Sequence, residues 1–121
     1  MLVVRQGDVF KLELELIDEE TNQPFMLDNY LVRFTIRKKP TIDGELVLTG
    51  DSGFTYEHYS IEKNDNFIFL YIDSVITKDW VVGSTLYLDV VLINEQEKVN
   101  NVIYFSAINI DKRVSDIIIG G

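Results

Sequence analysis

His58 is the single histidine of this 121-residue chain, and cysteine is absent. These two residue types supply most nucleophile–base pairs and most structural zinc sites, so their scarcity sets the first bound on chemistry. A Ser-His-acid relay would need His58 beside Ser52, Ser60 or another serine, with a carboxylate orienting the ring. The sequence has no Gly-x-Ser-x-Gly turn to present a serine and no glycine-rich loop to cradle phosphate. Acidic groups are plentiful. Asp18-Glu19-Glu20, and Asp51 with Glu57, offer the residue types of a glycosidase pair or a calcium site. Their spacing is not that of a calcium-binding loop, and a glycosidase pair is defined by separation in space. Loop carboxylates are usually just solvated, and chains this short rarely frame a buried pocket. The expectation is a non-enzyme without catalytic, cofactor or metal sites.

The elements that would position these groups are short runs of alternating polarity separated by turn signals. Phe10, Leu12, Leu14 and Leu16 alternate with Lys11, Glu13 and Glu15 within Val9 to Ile17, the period of a half-buried strand. Val32, Phe34 and Ile36 alternate with Arg33, Thr35 and Arg37 over Leu31 to Arg37. Asp43-Gly44 is a hairpin-type turn before Glu45-Leu46-Val47-Leu48. Phe54 to Ile61 reads as a weaker strand, Asn64-Asp65-Asn66 as a turn, and Phe67 to Ile72 as a strong strand. One helical turn, capped by Asp73 or Ser74, fits before Trp80. Leu86 to Ile93 and Val99 to Asp111 are the last two strands. Six to eight strands without a long helix predict an all-β antiparallel sandwich or barrel. A single domain spans residues 1–121 and ends in a short apolar tail, 116–121.

Net charge is −9, which disfavours a phosphate-backbone partner and so nucleic acid. No apolar run approaches the roughly 20 residues needed to span a bilayer, so no membrane is expected. The beginning, Met1-Leu2-Val3-Val4-Arg5, is not a basic leader followed by a long apolar stretch. Synthesis in a reducing cytoplasm fits the lack of cysteine.

Read in order, several short motifs add a resemblance. Gln6-Gly7-Asp8-Val9-Phe10-Lys11-Leu12 opens the series, and Phe25-Met26-Leu27-Asp28-Asn29-Tyr30 leads into the strand ending Ile36-Arg37. Phe67 to Ile72, Thr77, Trp80, Gly83 and Tyr87-Leu88-Asp89 follow, and Phe105 to Ile110 with Val114-Ser115 closes it. Together they resemble the N-terminal domain of bacteriophage upper baseplate proteins. Two places depart from that pattern: Asp28-Asn29 replaces the usual Thr-Gly, which asparagine's tolerance of left-handed backbone permits, and the closing strand lacks its glycine. The resemblance implies an immunoglobulin-like sandwich of about 7–8 strands. It also implies a structural role in the virion, in tail, baseplate, fibre base or capsid, with other virion proteins as partners.

If docking is the task, the outward strand faces should show it. Phe67, Phe69 and Tyr71 are expected outside if Ile68, Leu70 and Ile72 fill the core. Tyr87, Val91 and Ile93 are expected outside if Leu86, Leu88, Val90 and Leu92 face in. In the last strand, Val102, Tyr104, Ile108 and Ile110 are assigned inward, with Ile103 and Phe105 outward. The tail Ile117-Ile118-Ile119 has the β propensity either to complete the sandwich or to join a neighbour's sheet edge. Such faces suit a subunit contact, homo-oligomeric or with another virion protein. They also suit a host receptor or glycan stacked on Phe67, Tyr71, Tyr87 or Trp80.

Overall fold

The computed structural model describes residues 1–94, 96 and 99–112. Within them eight strands and one helical turn follow in order: β1 (Leu2–Arg5), β2 (Phe10–Glu15), β3 (Leu31–Arg37), β4 (Leu46–Asp51), β5 (Tyr59–Asn64), β6 (Phe67–Ile72), α1 (Ser74–Thr77), β7 (Thr85–Asn94) and β8 (Val99–Asp111). They form a five-stranded sheet, β1-β8-β7-β3-β4, and a three-stranded sheet, β2-β6-β5. All neighbours are antiparallel except β1, which runs parallel to β8. The larger sheet carries the C, F and G positions of an immunoglobulin domain with an added C′ strand, and the smaller carries B, E and D. The fold is an immunoglobulin-like β-sandwich.

The period of two explains the core. Val32, Phe34, Ile36, Leu88, Val90 and Ile108 line the inner face of the large sheet and are fully buried. Phe10, Ile61, Ile68, Leu70 and Ile72 line the inner face of the small sheet against them. Each fully buried Leu, Ile or Phe contributes roughly 1.5–3 kcal/mol, which makes the register a strong constraint.

The ends of the sandwich are tied by side chains from the opening motif. Gly7 takes a left-handed φ of 84° to turn the chain from β1 into β2. Gln6 donates through Nε2 to the Trp80 carbonyl at 2.9 Å, and the fully buried Thr77 donates through Oγ1 to the Asp8 carbonyl at 2.6 Å. Gln6, Asp8, Thr77 and Trp80, distant in sequence, are thus one hydrogen-bonded clasp. Elsewhere Lys63 reaches the carbonyls of Leu27, Asp28 and Tyr30 and fixes the chain entering β3.

Several expectations need correction. The run from Val9 to Ile17 is a strand only over Phe10–Glu15, and Ile17 makes an isolated bridge to Pro24. The weak strand at Phe54 to Ile61 begins instead at Tyr59, because His58 sits at a left-handed φ of 73° that breaks the pleat. Asp73 occupies the N-cap position of α1, but its carboxylate makes no bond to the helix amides. Most consequential is β8. Its pairing with β7 slips between Val90 and Val91: Val90 opposes Tyr104, while Val91 opposes Val102. Ile103 is the extra residue of a bulge, and a bulge reverses the alternation beyond it. Val102 therefore points outward and is 64% exposed, whereas Ile103 packs against the core.

Candidate interaction surfaces

β6 runs down the middle of the small sheet and turns Phe67, Phe69 and Tyr71 outward. Phe69 and Tyr71 are 39% and 37% exposed, and Phe67 stacks on Phe69 with ring centroids 6.2 Å apart. On the β2 side these three stand opposite Glu15, Glu13 and Lys11. On the β5 side they stand opposite Asn64, Glu62 and Ser60. The result is an aromatic strip with three carboxylates and one lysine beside it.

The outer face of the large sheet carries a second apolar strip. Phe105 is 54% exposed and stacks with Tyr87, centroids 6.4 Å apart. Asp89 lies directly opposite Phe105, and burial pushes its carboxyl above the usual range while nearby Arg37 opposes the rise. Val91 and Val102 form the next row, continued by Arg33 and Asp51. Arg33 clasps Asp51 with two bonds, Nε to Oδ1 at 2.7 Å and Nη2 to Oδ2 at 3.0 Å. This hydrogen bond and the partner's charge raise the guanidinium pKa further. Ile93 is half-buried, opposite Leu31, near the end of the sheet.

The expected interface residues thus divide. Phe67, Phe69 and Tyr71 lie on one outer face, while Tyr87, Val91, Ile93 and Phe105 lie on the other, so the sandwich separates them. Ile103 belongs to neither strip. Ile117, Ile118 and Ile119 lie outside the described residues. Val102 is the exposed apolar side chain that sequence reasoning assigned inward. The adjacent Asn100-Asn101 pair interrupts the apolar alternation and was the available signal for a slip. Trp80 is 5% exposed and has no face open to a sugar.

The candidates for chemistry stay apart. His58 lies near Glu57, at 3.4 Å, and Asp73, at 3.9 Å. Ser52 instead accepts a bond from the Val32 amide and is buried in that turn. Asp51 is engaged by Arg33 rather than facing Glu57. Among the described residues no group of three His, Asp or Glu side chains could hold a metal ion. No helix among them is long and apolar enough to cross a membrane.

No protein-family model matches the chain, and no curated protein matches it. Among solved structures, the periplasmic chaperone SfaE is similar, with a TM-score of 0.50 and 13% sequence identity. The match covers 93% of this chain and 53% of the chaperone, so the chain spans about half that protein's length. At that identity the likeness shows the shared immunoglobulin-like fold.

Proposed function

We propose that the chain is a non-enzymatic structural subunit of a bacteriophage particle, joining other virion proteins through the outer faces of its two sheets. The observation that carries the docking role is the pair of aromatic strips on opposite faces. Burying a fully exposed ring stabilises by roughly 1.5–3 kcal/mol, and Phe69, Tyr71 and Phe105, 37% to 54% exposed, each keep a share of that for an interface to gain. Apolar groups on both outer faces suit a connector held between two neighbours, whereas a monomer gains nothing from them. The virion assignment rests on the motif order from Gln6-Gly7-Asp8 to Tyr87-Leu88-Asp89. Four of those motif residues, Gln6, Asp8, Thr77 and Trp80, support one another as the clasp described above.

The test is incorporation. Particles are assembled with wild-type chain, with Phe69→Ser, with Phe105→Ser and with both, and copies per particle are counted by quantitative mass spectrometry. Each single substitution is expected to reduce incorporation, and the double to abolish it while the purified protomer stays folded. Full incorporation of the double variant, or absence of the wild-type chain from purified particles, refutes the proposal. Retained incorporation with lost adsorption to host cells would favour a receptor- or glycan-binding role on the same rings.

A further inference from the structure

Among the described residues, one side of the sandwich is open. β1 pairs with β8 only from Ile108 to Asp111, so residues 100–107 have no strand partner on that edge among the described residues. Across from it β2 is likewise an edge strand of the small sheet. The inward-facing Leu12, Leu14 and Leu16 are only half-buried, unlike Ile68, Leu70 and Ile72 beside them. The two edges bound a groove of about 700 Å³ whose apolar lining includes Leu16, Phe25, Leu92 and Ile103. Its remaining wall is acidic: Glu15, Asp18, Glu19 and Glu20 line it, and among the described residues no lysine or arginine does.

We infer that this opening takes an extended segment of another protein, with apolar side chains at alternate positions and lysine or arginine between them. Each feature of the segment answers one of the groove. The β8 edge along residues 100–107, which has no strand partner among the described residues, is matched by another extended backbone. Leu16 and Ile103 in the groove, with the half-buried Leu14 and Leu12 farther along β2, take every second side chain, because strand side chains alternate faces. The four carboxylates then meet the intervening residues, and a basic character both matches them and steers association. A second copy of this chain, at net charge −9, meets repulsion at the same wall. The groove takes in none of the rings of either strip and shares only Glu15 with the flank of the β6 strip, so this inference stands apart from the docking faces proposed above.

The probe is a synthetic peptide of about nine residues alternating valine and lysine, titrated into the isotope-labelled full chain up to about 1 mM. Saturable binding is expected, with slowed amide exchange along residues 100–107. N-methylation of every backbone amide of the peptide removes its donors but keeps its charge, and is expected to abolish binding. The exposed double variant Glu19→Lys, Glu20→Lys is expected to weaken binding by about tenfold or more at low salt. Equal binding of the N-methylated peptide overturns strand pairing. Equal binding of a valine–glutamate peptide, or tighter binding of a peptide of residues 113–121, overturns the basic partner. No saturation by about 1 mM overturns the inference as a whole.

Discussion

Gly50 lies in β4 beneath three aromatic rings, and replacing it with alanine tests how tightly that corner is packed. A Cβ at this position would stand 2.8 Å from Phe34 Cε1, 3.1 Å from Tyr59 Cε2 and 3.2 Å from Tyr56 Cε2. None of the three rings can simply rotate away. Phe34 is fully buried and meets Tyr59 edge-on, while Tyr59 stacks on Tyr56 with centroids 4.6 Å apart. Both tyrosine hydroxyls are also tied to β4: Tyr56 accepts from the Asp51 amide, and Tyr59 donates to the Thr49 carbonyl. Overpacking of this kind costs about 1–3 kcal/mol. Alanine recovers about 0.4–1 kcal/mol by restricting the unfolded chain, since Gly50 is not one of the left-handed glycines. With three rings this close the cost falls in the upper part of that range, about 2–3 kcal/mol, which leaves a net loss of about 1–2.6 kcal/mol. A chain of this length unfolds with an entropy near ~250 cal/mol/K, so the melting temperature should fall by about 4–10 °C. Thermal melts followed by near- and far-ultraviolet circular dichroism measure it. A melting temperature that is unchanged or raised would show that the rings do not close over the glycine, and the packing argument would fail.

Lys63→Met keeps the aliphatic stem and removes the ammonium that bonds the carbonyls of Leu27, Asp28 and Tyr30. It should cost about 1.5–3 kcal/mol, read by urea denaturation, and speed amide exchange near those residues. Asp89 is held above its ordinary 3.8 by burial, so folding disfavours its charged form, a penalty absent below the unfolded pKa and growing as pH rises through the folded one. Asp89→Asn should therefore raise the melting temperature at about pH 7 and lose that advantage near about pH 3. A rise of equal size at both pH values contradicts the assignment. Arg33→Ala breaks an ion pair whose arginine is 46% exposed, so its cost should stay below about 1 kcal/mol and shrink in high salt.

Much of this architecture is legible in the chain because β-sheet faces repeat every second residue. Leu31–Arg37, Phe67–Ile72 and Val99–Asp111 are strands over the ranges their alternation indicates. Phe67, Phe69, Tyr71, Tyr87 and Phe105 lie outward for the same reason. What alternation cannot encode is a slip of one residue. The bulge at Ile103 carries no glycine to announce it, and it exchanged the faces of Val102 and Ile103. Nor does a one-dimensional pattern say which sheet a strand joins, and this is why the eight described interface candidates read as one set, whereas seven of them divide between opposite faces and Ile103 joins neither. The groove was equally hidden. Glu15 at the end of β2 and Asp18, Glu19 and Glu20 in the loop after it are ordinary surface carboxylates until β8 brings Asn101 and Ile103 alongside them.

The central claim is that neighbouring polypeptides cover both outer faces of the sandwich. A cryo-electron-microscopy map of the intact particle tests this most directly. The account predicts density for other subunits packed against Phe67, Phe69 and Tyr71 on one side and Tyr87 and Phe105 on the other. A particle without this chain, or one in which both sets of rings face solvent, would contradict it.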